Sequence, residues 1–94
     1  MFKEVEIKMK IVKINALWCS GCLYMKKVWK EVINTYPNLE IVEYDYDMDE
    51  DIVKTYNPGE ILPVAIFYKD NTEYKRLKGE HSKEEIIDII KECL

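Results

Sequence analysis

The chain is poor in the residues that break a fold or staple it together. Its 94 residues include only 3 glycines, 3 prolines and 3 cysteines, and there is no repeat or low-complexity segment. A small, odd number of cysteines argues against a secreted scaffold held by disulfides and favours a reducing compartment, the cytoplasm by default. The length suits one domain with a modest core, so residues 1–94 are predicted to form a single domain.

Basic excess and long apolar segments are also missing. The net charge is −4 at neutral pH, and the lysines are scattered among acids, so no basic patch for nucleic acid is present. The longest apolar run, from Ile61 to Tyr68, is far below membrane-spanning length. Residues 1–10 alternate apolar with charged side chains and have no continuous apolar segment of the kind a secretory signal needs. We therefore expect a protein that binds neither nucleic acid nor a membrane, and we expect it to be a monomer.

The stretch that carries chemistry is Trp18-Cys19-Ser20-Gly21-Cys22. It follows a strand-forming run that ends near Asn15 and precedes a long amphipathic stretch, so the chain is predicted to leave a strand and open a helix at Cys19. Free backbone N–H groups and the positive end of the helix dipole would face this sulfur, and both favour the nucleophilic thiolate. Cys22, one helical turn on, could then attack a mixed disulfide formed by Cys19.

Hydrophobic periodicity predicts the order β-α-β-α-β-β-α. The first strand runs from about Val5 to Asn15, and its later part is apolar enough for a central strand covered on both faces. The other predicted elements are a helix from Ser20 to Tyr36, a strand from Leu39 to Tyr46, a short helix near Met48 to Tyr56 opened by an Asp47/Glu50 capping box, a strand from Ile61 to Tyr68 paired with Glu73 to Leu77, and a last helix opened by a Ser82/Glu85 capping box. A four-stranded mixed sheet flanked by three helices follows from this order.

Two of the predicted helices have an apolar face. In the first, the apolar residues recur at intervals of three and four, namely Leu23, Met25, Val28, Trp29, Val32, Ile33 and Tyr36. In the last, one face is shared by Ile86, Ile87, Ile89, Ile90, Cys93 and Leu94. Cys93 is therefore predicted to be a buried core cysteine.

With this order in hand, the chain resembles the thioredoxin family over nearly its whole length. The Trp18 to Cys22 stretch is similar to the family's W-C-x-x-C active site, and Ile61 to Val64 to the segment where a cis-proline precedes a hydrophobic strand. The hairpin ending at Gly79 and the helix start at Ser82 are similar to the family's C-terminal part. In length the chain is closer to glutaredoxin-like or small thioredoxin-like proteins.

The resemblance implies a thioredoxin-like fold and a thiol-disulfide oxidoreductase without a cofactor. Cys19 would be the attacking nucleophile and the more exposed sulfur, and Cys22 the more buried resolving thiol. Together they would reduce disulfides in protein substrates through a mixed disulfide. A thioredoxin-reductase-like enzyme would recharge the dithiol, in preference to glutathione.

The resemblance also assigns substrate contacts. Trp18 would flank the thiols and offer a flat apolar surface to a substrate, although packing at a strand end would also explain it. If the Leu62–Pro63 bond is cis, Pro63 would lie opposite the cysteines and leave the preceding backbone free to pair with an extended substrate. A trans proline at the start of a strand is the alternative.

Some positions depart from the family pattern. Ser20 and Gly21 replace the Gly-Pro of typical thioredoxins and would change the redox potential. Lys13, six residues before Cys19, stands where typical thioredoxins carry a buried aspartate that helps to deprotonate the second cysteine. A lysine there would either favour a nearby thiolate or extend to the sheet edge. Lys27 stands where the family's helix often carries a kinking proline, so a straighter helix is predicted.

Other interpretations of the same residues remain open. The two cysteines could form half of a zinc site completed by Cys93 and His81, although no metal is the expectation. The acidic run from Asp45 to Asp51 could bind a cation or be only a solvated helix start. The alternative function is a thioredoxin-fold adaptor module that senses redox state or holds a metal or cluster. A ferredoxin-like binding domain is a more distant alternative.

Overall fold

The computed structural model describes residues 9–94. The elements are β1 (Met9–Asn15), α1 (Ser20–Thr35), β2 (Glu40–Asp45), α2 (Glu50–Tyr56), β3 (Val64–Lys69), β4 (Thr72–Lys78) and α3 (Lys83–Cys93). This is the predicted order. The part of the first strand predicted for positions 5–8 lies outside the described residues.

The strands form one four-stranded mixed sheet in the order β2-β1-β3-β4. β1 pairs parallel with β2 and antiparallel with β3, and β3 pairs antiparallel with β4. The predicted thioredoxin-like sheet with three helices is therefore confirmed. These directions bring one set of strand termini to the same end of the sheet: the C-terminal ends of β1, β2 and β4 and the N-terminal end of β3. The candidate site lies at this end.

The central strand buries side chains on both faces of the sheet. Successive strand residues point to opposite faces, so Ile11 joins the core under α1 and α3, while Val12 and Ile14 join the core under α2. All three side chains are fully buried. Phe67 and Ile66 of β3 divide between the two cores in the same way.

Some apolar residues predicted to pack inward are exposed instead. The buried stripe of α1 consists of Cys22, Met25, Trp29 and Val32, and Leu23 and Ile33 each lie one position beyond it, with exposures of 64% and 40%. Leu17, predicted as part of the filled-in strand, falls in the turn after β1 and is 91% exposed, and Leu94 follows the end of α3 and is 56% exposed. Hydrophobicity marked these positions, but the helix phase and the element ends decided their burial.

The predicted capping box at the start of α2 is wrong. The helix begins at Glu50 with Asp49 as its N-cap, and no side chain caps it. The acidic side chains instead accept hydrogen bonds from backbone N–H groups in the segment that joins β2 to α2. The Asp49 carboxylate accepts the backbone N–H of Asp45 at 2.8 Å, and the Asp45 carboxylate accepts the N–H groups of Asp47 and Met48, both at 2.9 Å. These side chains prefer turn contacts to helix capping where a turn is close at hand.

The remaining boundaries follow the pairing of the sheet. β3 begins at Val64 rather than at Ile61, because its ladder with β1 starts at the Ile14–Val64 pair. The capping box of α3 is confirmed, since the Ser82 hydroxyl accepts the Glu85 N–H at 3.1 Å and the Glu85 carboxylate accepts the Ser82 N–H at 3.0 Å. Across residues 9–94, none of the helices combines the length and apolar character needed to cross a membrane.

Candidate active site

Cys19 is the N-cap of α1. Its backbone is extended, with φ −95° and ψ 112°, and its Sγ accepts the backbone N–H of Cys22 at 3.1 Å. A helix leaves its first N–H groups without partners, and a side chain at the N-cap position takes one of them. The sulfur of Cys19 therefore receives an N–H donor and lies at the positive end of the dipole of a 16-residue helix, an arrangement that suits a negatively charged sulfur.

Exposure does not distinguish the two cysteines in the way expected from the resemblance. Cys19 and Cys22 are almost equally buried, with exposures of 8% and 7%. The pKa of Cys22 is raised from 9.0 to about 11, chiefly because burial penalises the thiolate and also because of the adjacent Cys19 sulfur. A backbone hydrogen bond from Ala16 and the charge of Lys13 lower that pKa in part. At neutral pH Cys22 is therefore a protonated thiol held under the nucleophile candidate.

Lys13 is buried, with an exposed fraction of 7%, and its side chain reaches the outer strand β2. Its Nζ lies 3.1 Å from Glu43 Oε1 on β2 and 4.9 Å from the centre of the Trp29 ring. Asn15 Nδ2 donates to the same Glu43 oxygen at 3.0 Å. The Lys13 side chain is 9% exposed and that of Glu43 is 59% exposed, so one end of the pair is inside and the other is in solvent. The Lys13 amine thus reaches the outer strand β2, and its charge also lowers the pKa of Cys22, by less than the Ala16 backbone hydrogen bond does.

A cavity of about 160 Å³ opens beside this pair. Lys13, Cys22 and Glu43 line it together with apolar residues of α1. A space of this size with several polar groups in its wall has room for a few water molecules. The cavity therefore connects the thiol of Cys22 to an exposed carboxylate.

The Leu62–Pro63 bond is cis, as the resemblance predicts. Leu62 packs against the small cluster formed by Ala16 and the two cysteines. Pro63 Cδ lies 3.5 Å from the point that a Cβ on Gly21 would occupy, and the Pro63 carbonyl accepts the N–H of Gly79 at 2.7 Å. The segment just before β3 is thereby held directly against Gly21, between the cysteines.

Trp18 lies on the surface in a fixed orientation. It is 63% exposed, its Nε1 donates to Asp47 Oδ2 at 2.6 Å, and its ring meets Tyr46 edge-on at 6.1 Å. The exposed side chains of Leu17 and Ile61 also belong to this end of the sheet, at 91% and 59% exposure. Trp18 therefore makes contacts within the chain and also leaves most of its ring surface exposed.

Glu80 is a residue of the site that sequence reasoning missed. It follows Gly79, the residue directly after β4, whose φ is 84°, and its side chain lies over Gly21. Glu80 Oε2 is 3.3 Å from the point that a Cβ on Gly21 would occupy, so the carboxylate lies directly against this glycine and a side chain there would displace it by a few tenths of an ångström. The only signal in the sequence was an acidic residue directly after the glycine that ends the hairpin.

The residues weighed as metal ligands are placed elsewhere or used otherwise. Cys93 is fully buried in the apolar core under α1 and α3, and His81 contacts Glu85 at 3.1 Å. The carboxylates of Asp45 and Asp49 accept hydrogen bonds from backbone N–H groups. In the part of the chain from Met9 to Leu94, no group of three or more His, Cys, Asp or Glu side chains is arranged to hold a metal ion.

Sequence comparison finds thioredoxins among the relatives of this chain. The sequence model of the Thioredoxin family matches residues 2–92. A thioredoxin from Ophiophagus hannah is 27% identical over 87 residues, which cover 93% of this chain and 81% of that protein. Thioredoxin H5 from Oryza sativa subsp. japonica is 31% identical over 72 residues, covering 77% of this chain and 53% of that protein. The match thus spans about half the length of the rice protein.

Solved structures share the fold. Thioredoxin-2, described as a component of the malaria parasite protein secretion machinery, superimposes with a TM-score of 0.84 at 20% identity, covering 95% of this chain and 86% of that chain. Reduced Schistosoma mansoni thioredoxin pre-protein gives 0.81 at 26% identity, with coverages of 93% and 80%. A chain in the complex of ferredoxin:thioredoxin reductase and thioredoxin f2 gives 0.75 at 19% identity, with coverages of 90% and 76%.

Proposed function

The chain belongs to the thioredoxin family, and we propose that it is a thiol-disulfide oxidoreductase that uses Cys19 and Cys22 to reduce disulfides in protein substrates. The observation that carries the proposal is the N-cap geometry, in which Cys19 Sγ accepts the Cys22 N–H at 3.1 Å at the start of α1. This geometry holds one sulfur ready for attack and a second sulfur one turn behind it.

In the first step, the Cys19 thiolate attacks one sulfur of the substrate disulfide. The substrate S–S bond breaks, a Cys19–substrate disulfide forms, and the other substrate sulfur leaves as a thiolate that takes up a proton. The helix N-terminus supports the negative charge on Cys19 before the attack.

In the second step, Cys22 loses its proton and attacks Cys19 Sγ. A Cys19–Cys22 disulfide forms, the remaining substrate sulfur leaves and is protonated, and two electrons have passed from the protein to the substrate. The pKa of about 11 makes deprotonation of Cys22 the demanding part of this step. Two of the causes of that high pKa are the hydrogen bond and the charge of Cys19, and both end once Cys19 is bonded to substrate. Burial, the largest cause of the high pKa, remains, and the two contributions of Cys19 are removed at the moment when the Cys22 thiolate is needed.

The proton of Cys22 leaves through the cavity that Cys22 shares with Glu43. Lys13 supports the developing thiolate by its charge, and the exposed Glu43 carboxylate can pass a proton to solvent. This pair takes the place of the buried aspartate of typical thioredoxins. Lys13 acts here as a positioning residue, since its charge operates on Cys22 and not on the substrate.

The substrate lies across Trp18, Leu62 and Pro63. The indole offers an apolar surface beside Cys19, and the backbone before the cis-proline pairs with an extended substrate segment. Ser20 and Gly21, between the cysteines, set the redox potential.

A thioredoxin-reductase-like enzyme returns the disulfide to the dithiol. A chain of similar fold occurs in the complex of ferredoxin:thioredoxin reductase and thioredoxin f2, which is in keeping with recharging by a protein reductase. We place the protein in the cytoplasm as a monomer without a cofactor of its own; the low, odd cysteine count supports the reducing compartment.

The test is a redox titration. The protein is equilibrated in a graded series of oxidised and reduced dithiothreitol, free thiols are alkylated, and the products are weighed. We expect a reversible two-electron transition at Cys19 and Cys22, with Cys93 alkylated only after unfolding because it is fully buried. A second experiment uses Cys22→Ser, which should accumulate a mixed disulfide with an oxidised protein substrate, with Cys19→Ser as the matched control that should not. If no Cys19–Cys22 disulfide forms anywhere in the series, or if both thiols stay blocked until a chelator is added, the proposal is wrong and the adaptor alternative stands.

A further inference from the structure

We propose that Glu80 selects substrates by their charge, so that the protein prefers disulfides with a lysine or arginine next to the reacting cysteine. The inference rests on the proposed function, because it assigns a substrate class to the same dithiol. It concerns a carboxylate that lies at the site but takes no part in the thiol chemistry described above.

The sheet brings Glu80 to the cysteines. β4 runs in the same direction as β1. The residues that follow Lys78, at the end of β4, therefore lie at the same end of the sheet as the residues that follow β1. There the Glu80 carboxylate lies against Gly21, with Oε2 at 3.3 Å and Cγ at 3.4 Å from the point a Cβ would occupy. Pro63 Cδ lies 3.5 Å from the same point. A substrate segment that pairs beside Pro63 must therefore pass next to this carboxylate.

The charge of Glu80 is available to an incoming group. Among the ion pairs within residues 9–94, none involves Glu80, and its side chain is exposed. The neighbouring His81 is occupied by Glu85 and by the carbonyl of Lys78. A carboxylate without a cationic partner beside a binding surface attracts a positive group and repels a negative one.

A second carboxylate borders the same surface on the opposite side. Asp47, just beyond β2, accepts the indole N–H of Trp18 at 2.6 Å. β2 and β4 are the two outer strands of the sheet, so Asp47 and Glu80 flank the apolar surface of Trp18 and Pro63 from its two sides. The occupant that fits this surface is a protein segment with a disulfide, an apolar contact and a basic residue next to the cysteine.

The experiment compares two disulfide-linked peptides that differ only in having lysine or glutamate next to the reacting cysteine. The rate constant for reduction by the reduced protein is measured at neutral pH in low salt and in about 0.5 M salt. We expect the wild-type protein to favour the lysine peptide, and Glu80→Gln to lower the lysine-to-glutamate ratio by about two- to fivefold, the size of one exposed ion pair. Glu80→Lys should lower the ratio further, and high salt should flatten all the differences.

The matched control is Glu40→Gln. It removes the same charge at the first residue of β2, at the opposite end of the sheet, and should leave the ratio unchanged. Thermal melts establish that each variant is folded. A ratio in Glu80→Gln equal to that of wild type would overturn the inference, as would a wild-type protein that reduces both peptides equally well; in both cases the proposed function stands. If the wild-type protein reduces neither peptide, the proposed function itself fails.

Discussion

Raising the pH above 9 should destabilise the reduced protein through Cys22. Burial raises the pKa of this thiol from 9.0 in an exposed chain to about 11 in the folded protein. Below pH 9 both states hold the proton and the contribution to stability is complete. Between the two values the unfolded chain releases the proton while the folded protein retains it, so the free energy of unfolding falls as the pH rises.

The size of the effect follows from the shift. One pKa unit corresponds to about 1.4 kcal/mol, so a rise from 9.0 to about 11 amounts to at most about 2–3 kcal/mol. A domain of this length is expected to have a free energy of unfolding of about 5–14 kcal/mol, so the loss is a measurable fraction of the total. Burial also raises the pKa of Cys93, which adds a loss of the same sign.

The assay is urea unfolding under a thiol-free reductant, in steps from about pH 8 to pH 11. Cys22→Ser should lose less stability over this range than wild type, because the serine hydroxyl does not titrate there. Cys93→Ala serves as the matched variant that removes the other buried thiol, and all three proteins contain the same tyrosines. If Cys22→Ser shows the same dependence on pH as wild type, the reasoning that a buried, protonated Cys22 lies under the nucleophile is refuted.

Further variants test the other parts of the site and fold. Lys13→Met should slow release of substrate from the mixed disulfide by about three- to tenfold, because loss of the buried charge raises the pKa of Cys22. Stopped-flow kinetics measure this rate, and an unchanged rate contradicts the role given to Lys13. Ser82→Ala removes the capping box of α3 and should lower the free energy of unfolding by about 1 kcal/mol, which corresponds to a Tm lower by roughly 4–8 °C. An unchanged Tm would show that the capping box does not stabilise the protein. Gly79→Ala should lower the free energy of unfolding by about 1 kcal/mol, measured by urea unfolding, because an alanine disfavours the φ of 84°. Contact does not add to this cost, since the new Cβ would lie 3.7 Å from Ile61. An unchanged stability would show that the turn relaxes.

Local features of the site were predictable because their partners lie within a few residues of each other. The bond from the Cys22 N–H to Cys19 Sγ spans one helical turn, and so does the capping box between Ser82 and Glu85. Spacing along the chain is enough to indicate such contacts. The capping box predicted at Asp47 failed because other acids nearby offered the backbone a competing turn, and spacing alone does not decide between these contacts.

The sequence by itself therefore determined the order of elements, the helix that opens at Cys19 and the resemblance that pointed to a cis bond before Pro63. Only the tertiary structure decided which distant groups surround the two thiols. Lys13 meets Glu43 because β1 and β2 pair in parallel register, and Glu80 meets Gly21 because β4 returns to the same edge of the sheet. Such contacts depend on strand order and register, which are set by how the whole chain buries its apolar faces and not by any short stretch of it.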